Sequence, residues 1–88
     1  MDHGSYMLIE RGMTVQGTDA ALGSVADVIA DREADVFRGI ILTHGLLMPK
    51  RGFIPADHIV GVTGDVVEVD LSRSDAEKLS AMPVAGAA

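Results

Sequence analysis

Apolar and polar residues alternate most cleanly near the end of the chain, where Val67, Val69 and Leu71 are interleaved with Val66, Glu68 and Asp70. A period of two puts the first set on one face and a largely acidic set on the other, as a half-buried strand requires. Just before it, Ile59-Val60-Gly61-Val62 forms a second apolar run, and Thr63-Gly64-Asp65 between the two predicts a tight hairpin with Gly64 at positive φ. The same reading along the chain predicts strands near Met7 to Ile9, Met13 to Gln16, Ser24 to Ala30, Phe37 to His44, Gly52 to Ile54, Gly61 to Val62 and Val66 to Leu71. Short Val- and Ile-rich runs separated by Gly, Pro and Asp indicate an all-β fold.

One segment breaks the alternation. Ala26, Val28 and Ala30 fall on one face while Val25 and Ile29 fall on the other, so a bulge near Asp27 is expected. A small sheet bends through bulges and glycines, which places Gly23, Gly39 and Gly52 at tight bends or close strand crossings. After the last strand, Ser74-Asp75-Ala76-Glu77 fits a capping box with Ser74 as N-cap and Glu77 as its partner. The short helix is expected to run until Pro83 stops it, with Leu79 and Met82 packed on the sheet.

Eighty-eight residues form one domain, and a chain this short buries only about 60–65% of its unfolded surface. The expected boundaries are a leader over residues 1–6 that includes Gly4-Ser5 of fusion-scar type, one domain over 7–82 and a small-residue tail over 83–88. Phe37, Phe53 and Tyr6 are the only aromatics, so aliphatic side chains must build the core. The absence of cysteine excludes disulfides, thiolate zinc sites and cysteine nucleophiles. The longest apolar runs, Ile40-Ile41-Leu42 and Leu46-Leu47-Met48, fall far short of the ~20 residues of a spanning helix. With no signal-peptide pattern at the start, the expected location is the cytoplasm. Thirteen acidic residues against seven basic give a formal charge of −6, which repels a phosphate backbone and disfavours nucleic acid. Lys50-Arg51 is the only adjacent basic pair, and its plainest use is to discourage strand-to-strand aggregation at an edge.

The order of Gly12-Met13-Thr14-Val15, Leu22-Gly23-Ser24-Val25-Ala26-Asp27-Val28-Ile29-Ala30-Asp31, Gly39-Ile40-Ile41-Leu42 and Phe53-Ile54-Pro55-Ala56-Asp57-His58-Ile59 resembles the PRC-barrel domain family. That family takes its name from the cytoplasmic part of the photosynthetic reaction-centre H subunit. The resemblance spans about residues 8 to 82, and within the family the chain is most similar to small stand-alone bacterial members. It implies a small, closed or partly open antiparallel β-barrel with one short C-terminal helix, used for docking or assembly. It implies no catalytic residues. The motif glycines and Pro55 carry over as structural positions only.

Candidate chemistry is sparse. His44 and His58, with Asp57, are the nearest approach to a metal or acid–base set, but their spacing is uninformative, and the plainer reading has His44 end a strand and Asp57-His58 form a turn or cap a helical turn after Pro55. Asp31-Arg32-Glu33-Ala34-Asp35 has the carboxylate spacing that opens a calcium loop, yet Val36 and Leu42 stand where that loop needs Gly and Glu. A solvated hairpin connection is expected there. Gly61-Val62-Thr63-Gly64 has the form of a nucleic-acid clamping loop but joins strands and precedes Asp65. No Ser or Thr stands beside a base and an orienting carboxylate in the sequence. No catalytic, metal or cofactor site is therefore assigned.

The segment too apolar for its place is Leu46-Leu47-Met48, between Gly45 and Pro49. Two readings stand side by side: these residues fold back into a core short of aromatics, or they form an exposed patch for a partner. The expectation is a non-enzymatic protein–protein interaction or assembly module, a homodimer, with Leu46, Leu47, Met48, Lys50, Arg51 and Phe53 as the contact set. An RNA-processing or ribosome-associated factor is the alternative, and a small-ligand sensor near His44 or His58 the third reading.

Overall fold

Two long strands carry the fold, and the rest of the sheet is built outward from them. In the computed structural model, which describes residues 8–31, 33–45 and 49–79, β2 (Ala21–Asp31) and β3 (Val36–His44) pair antiparallel from Ser24↔Thr43 to Asp31↔Val36. The register slips between Val25 and Asp27, which places the expected bulge, and again between Ile29 and Ala30. Their connection is the expected hairpin. Asp31 Oδ1 accepts from the backbone N–H groups of Glu33 and Ala34, both at 3.1 Å, and Asp35 takes φ 57° to close the turn.

β1 (Thr14–Gln16) lies on the other side of β2, and β4 (Lys50–Pro55) lies on the other side of β3. β5 (Ile59–Thr63) and β6 (Val66–Val69) form the hairpin expected around Gly64, whose φ is 60°. β6 docks beside β1 in parallel, Thr14↔Val66 to Gln16↔Glu68. The sheet order is β4-β3-β2-β1-β6-β5. Although β4 and β5 are consecutive, joined only by a 3-10 turn at Ala56–His58, they do not pair. The barrel is thus the partly open form, and one of its ladders is parallel.

The core is aliphatic, as the composition requires. Ile40, Leu42, Ile54, Val15, Val25 and Val67 are the largest fully buried side chains. Each contributes roughly 1.5–3 kcal/mol by leaving water. Val67, Val69 and Leu71 all join this core while Glu68 and Asp70 face solvent, so the alternation that predicted the last strand also orients it. Gly23 and Gly39 make the bends at β2 and β3 possible. Their φ values of 156° and 151° disfavour any L side chain, and a Cβ at either would run into the carbonyl oxygen of Thr43 or Ile54 respectively.

Three local expectations are corrected. In the described part of the Met7 to Ile9 strand, neither Leu8 nor Ile9 is paired. Both edges of β1 are already occupied, by β2 and β6, so residues before the Glu10–Gly12 turn cannot fold back to pair with it; Ile9 enters the core instead. The last strand ends at Val69, two residues short of Leu71; beyond it the Asp70 N–H still bonds the His58 carbonyl at 3.0 Å, and the Leu71 carbonyl leaves β5 to accept from the Thr18 N–H at 2.8 Å. Helix α1 (Arg73–Glu77) is capped by Ser72 with Asp75 as the reciprocal partner, rather than by Ser74 with Glu77. Both tetrads fit the capping pattern. The earlier register buries Ala76 to 3% exposure and lets Asp19 accept the Arg73 N–H at 3.0 Å. The helix ends at Glu77, well before Pro83, with Lys78 N–H bonded to the Asp75 carbonyl. Leu79 packs on the core as expected; Met82, the leader and the tail lie outside the described residues.

Candidate functional site

β4 is the strand on which the expected contact residues fall. Its register with β3 runs unbroken from His44↔Lys50 through Thr43↔Arg51, Leu42↔Gly52 and Ile41↔Phe53 to Gly39↔Pro55. Strand alternation then divides the set between two faces. Lys50 shares a face with buried Gly52 and Ile54, the face toward α1 and the residues after it: Lys50 lines a groove with Arg73 and Ala76 of α1, and a Cβ on Gly52 would lie 2.7 Å from the Cβ of Leu79, just past the helix. Arg51 and Phe53 point the other way. The pair Lys50-Arg51, adjacent in sequence, does not form one basic patch.

On the outer face, Phe53 is half-buried and its ring lies against Gly39; its cross-strand neighbour Ile41 is 5% exposed although it stands outside the main core cluster. A second, small apolar surface therefore covers the outside of β3 and β4, with Arg51 exposed beside it. Among the described residues, the far edge of β4 meets no other strand, and β5 likewise pairs only with β6. Leu46, Leu47 and Met48 lie outside the described residues.

On the inner side, the β3–β4 end and α1 enclose an open groove of about 450 Å³ lined by Leu22, His44, Gly45, Lys50, Arg73, Ala76 and Glu77. His44 ends β3, as expected, and faces Lys50 across the ladder. Arg73 and Glu77 were not singled out from the sequence. Placing the N-cap at Ser72 would have shown that Arg73 and Glu77 lie four apart on one face of a helix. No spacing in the chain relates residue 44 to residue 73.

His58 belongs elsewhere. It lies in the turn after Pro55, at the opposite end of β4 from His44, a strand length on the order of 17 Å. Its Nδ1 meets Asp70 Oδ1 at 2.8 Å with both side chains substantially exposed, so the contact ties the turn to the end of β6. Asp57 is exposed beside it. Among the described residues, no three His, Asp or Glu side chains gather as a metal set would. The Asp75 carboxyl is held below the ordinary aspartate value by the Ser72 backbone N–H, then by the Ser72 hydroxyl. That shift belongs to the helix cap.

A single open sheet of six strands, with a capped helical turn over one end, defines a small β-scaffold whose end strands, β4 and β5, are each paired on one side only among the described residues. The family model for the PRC-barrel domain matches residues 11–76, and the chain belongs to that family. No curated protein is significantly similar to it. No helix among the described residues is long and apolar enough to cross a membrane.

Proposed function

We propose that this PRC-barrel protein is a non-enzymatic interaction module of the cytoplasm that docks a protein partner along the free edge of β4, and that the first such partner is a second copy of the chain. The observation that carries the reading is that edge: an end strand paired only with β3 among the described residues, flanked on its outer face by half-buried Phe53 and exposed Arg51. An exposed row of strand N–H and C=O groups is a template for another strand. The two free edges also differ in charge. β4 begins with Lys50-Arg51, whereas β5 is bracketed by Asp57 and Asp65, so a second copy offers the opposite charge to each. Leu46, Leu47 and Met48, immediately before β4, extend the same contact set in sequence.

The RNA-associated reading draws less support. The formal charge is −6, and Lys50 and Arg51 face opposite sides of the strand.

Sedimentation equilibrium tests the proposal. The wild-type chain is expected to self-associate, with Arg51→Glu weakening the association at least tenfold while leaving the circular dichroism spectrum unchanged. Phe53→Ser is expected to weaken it further. A strict monomer at high concentration, or a dimer indifferent to both substitutions, overturns the assignment to β4.

A further inference from the structure

The groove beneath α1 runs against the charge of the molecule around it. In a chain with a formal charge of −6, its charged lining is Lys50, Arg73 and one carboxylate, Glu77, with His44 alongside. His44 and Lys50 stand directly opposite one another across the β3–β4 ladder. Lys50 on β4 and Arg73 on α1 thus bring two cations to one groove from different elements. Among the described residues, neither the Lys50 ammonium nor the Arg73 guanidinium forms an ion pair; Asp19, which reaches Arg73, accepts its backbone N–H instead. Leu22 and Ala76, at 7% and 3% exposure, supply an apolar floor. The volume of about 450 Å³ lies within the range of small-ligand sites, roughly 300–1,000 Å³.

We propose that this groove binds a carboxylate-bearing ligand with a short aliphatic body and an N–H beside the carboxylate. Lys50 and Arg73 take the carboxylate through charge-assisted hydrogen bonds. The aliphatic part lies on Leu22 and Ala76, and Glu77 accepts from the N–H. Two fixed cations and one fixed anion leave a single positive charge, which matches a monoanion. A phosphate dianion would instead meet the Glu77 carboxylate with its second charge. An N-acylated amino acid and the free C-terminus of a peptide share this chemistry. The proposal does not rest on docking at the β4 edge, since Arg73 and Glu77 belong to α1.

Titration of the isotopically labelled full chain, followed through its backbone amide resonances, tests it. The probes are N-acetyl-leucine, N-acetyl-leucine amide, acetyl-Ala-Ala-Leu with a free C-terminus, and inorganic phosphate. Saturable shifts at His44, Gly45, Lys50 and Ala76 are expected with the free acids, with the amide at least tenfold weaker. Arg73→Met and Lys50→Met should each weaken the acids by about tenfold, with resonances away from the groove unmoved. Glu77→Gln should tighten binding of plain isobutyrate, which has no N–H to offer. Equal affinity for both acids supports a small-molecule source, and a tighter peptide supports a chain end. An amide that binds as well as the acid, phosphate that outcompetes both acids, or an Arg73→Met chain with unchanged affinity overturns the proposal. Because Arg73 is remote from the outer face of β4, failure here leaves the docking reading standing, and failure of docking leaves this one.

Discussion

The middle of the sheet and its two edges obey different constraints. β1, β3 and β6 have a strand on both sides, β2 pairs with β1 over Ala21–Ser24 and with β3 over Ser24–Asp31, and their side chains supply most of the buried core: Val15 and Val67 on the parallel ladder, Val25, Ile40 and Leu42 on the long antiparallel pair. Here a substitution is felt as packing or collision. β4 and β5 are paired on one side only, and they hold Lys50, Arg51 and Val60, the last 65% exposed. The middle of the sheet specifies the fold; the edges are free to specify a partner.

The sharpest way to break this contrast is a substitution at the bend of β2. Gly23→Ala forces a Cβ toward the Thr43 carbonyl from a backbone at φ 156°. It should cost roughly 2–4 kcal/mol in urea unfolding, because neither the conformation nor the space suits an L side chain. A loss below about 1 kcal/mol would mean that the β2–β3 crossing can open without penalty.

The helix cap comes next. Ser72→Ala removes one side of the reciprocal cap and should cost about 1 kcal/mol, with loss of the Leu79 contact on the core. Asp75 gives the same cap a pH signature. Its carboxyl is held below the ordinary value in the fold, so its contribution is fully present above the unfolded-state value. That contribution is lost as pH falls through the lowered folded value. Acid unfolding of Asp75→Asn should lack this component, as thermal melts across the acid range would show. The smallest effect is expected at the edge: Arg51→Glu should change monomer stability by less than about 0.5 kcal/mol, since Arg51 is exposed and forms no ion pair among the described residues. An edge variant that unfolds the domain would erase the distinction between the regions.

The division between middle and edge also explains what could be read from the residues alone. Alternation at Val67, Val69 and Leu71, the slipped pattern around Asp27 and the turn at Gly64 are local signals, and each matches the structure. The parallel docking of β6 on β1 is a long-range event between residues some fifty apart, and no local pattern announces it. It also occupies the edge of β1 that a Met7 to Ile9 strand folding back on it would have needed. The cap at Ser72 was missed because two overlapping Ser tetrads satisfy the same local rule, and burial of Ala76 decides between them. At the site, the sequence identified Lys50, Arg51 and Phe53 as a group, but only the strand register shows that Lys50 faces α1 while Arg51 and Phe53 face outward. The His44, Lys50 and Arg73 groove needed the helix to be set down on the sheet before its members met.

Hydrogen–deuterium exchange of the β4 backbone at low and high protein concentration tests the central claim most directly. The amides of Lys50–Ile54 and of β5 should exchange more slowly in the concentrated sample, while β1, β2 and β6 remain unchanged. Exchange in β4 that is independent of concentration, or new protection confined to the helix or to the β2–β3 hairpin, would contradict it.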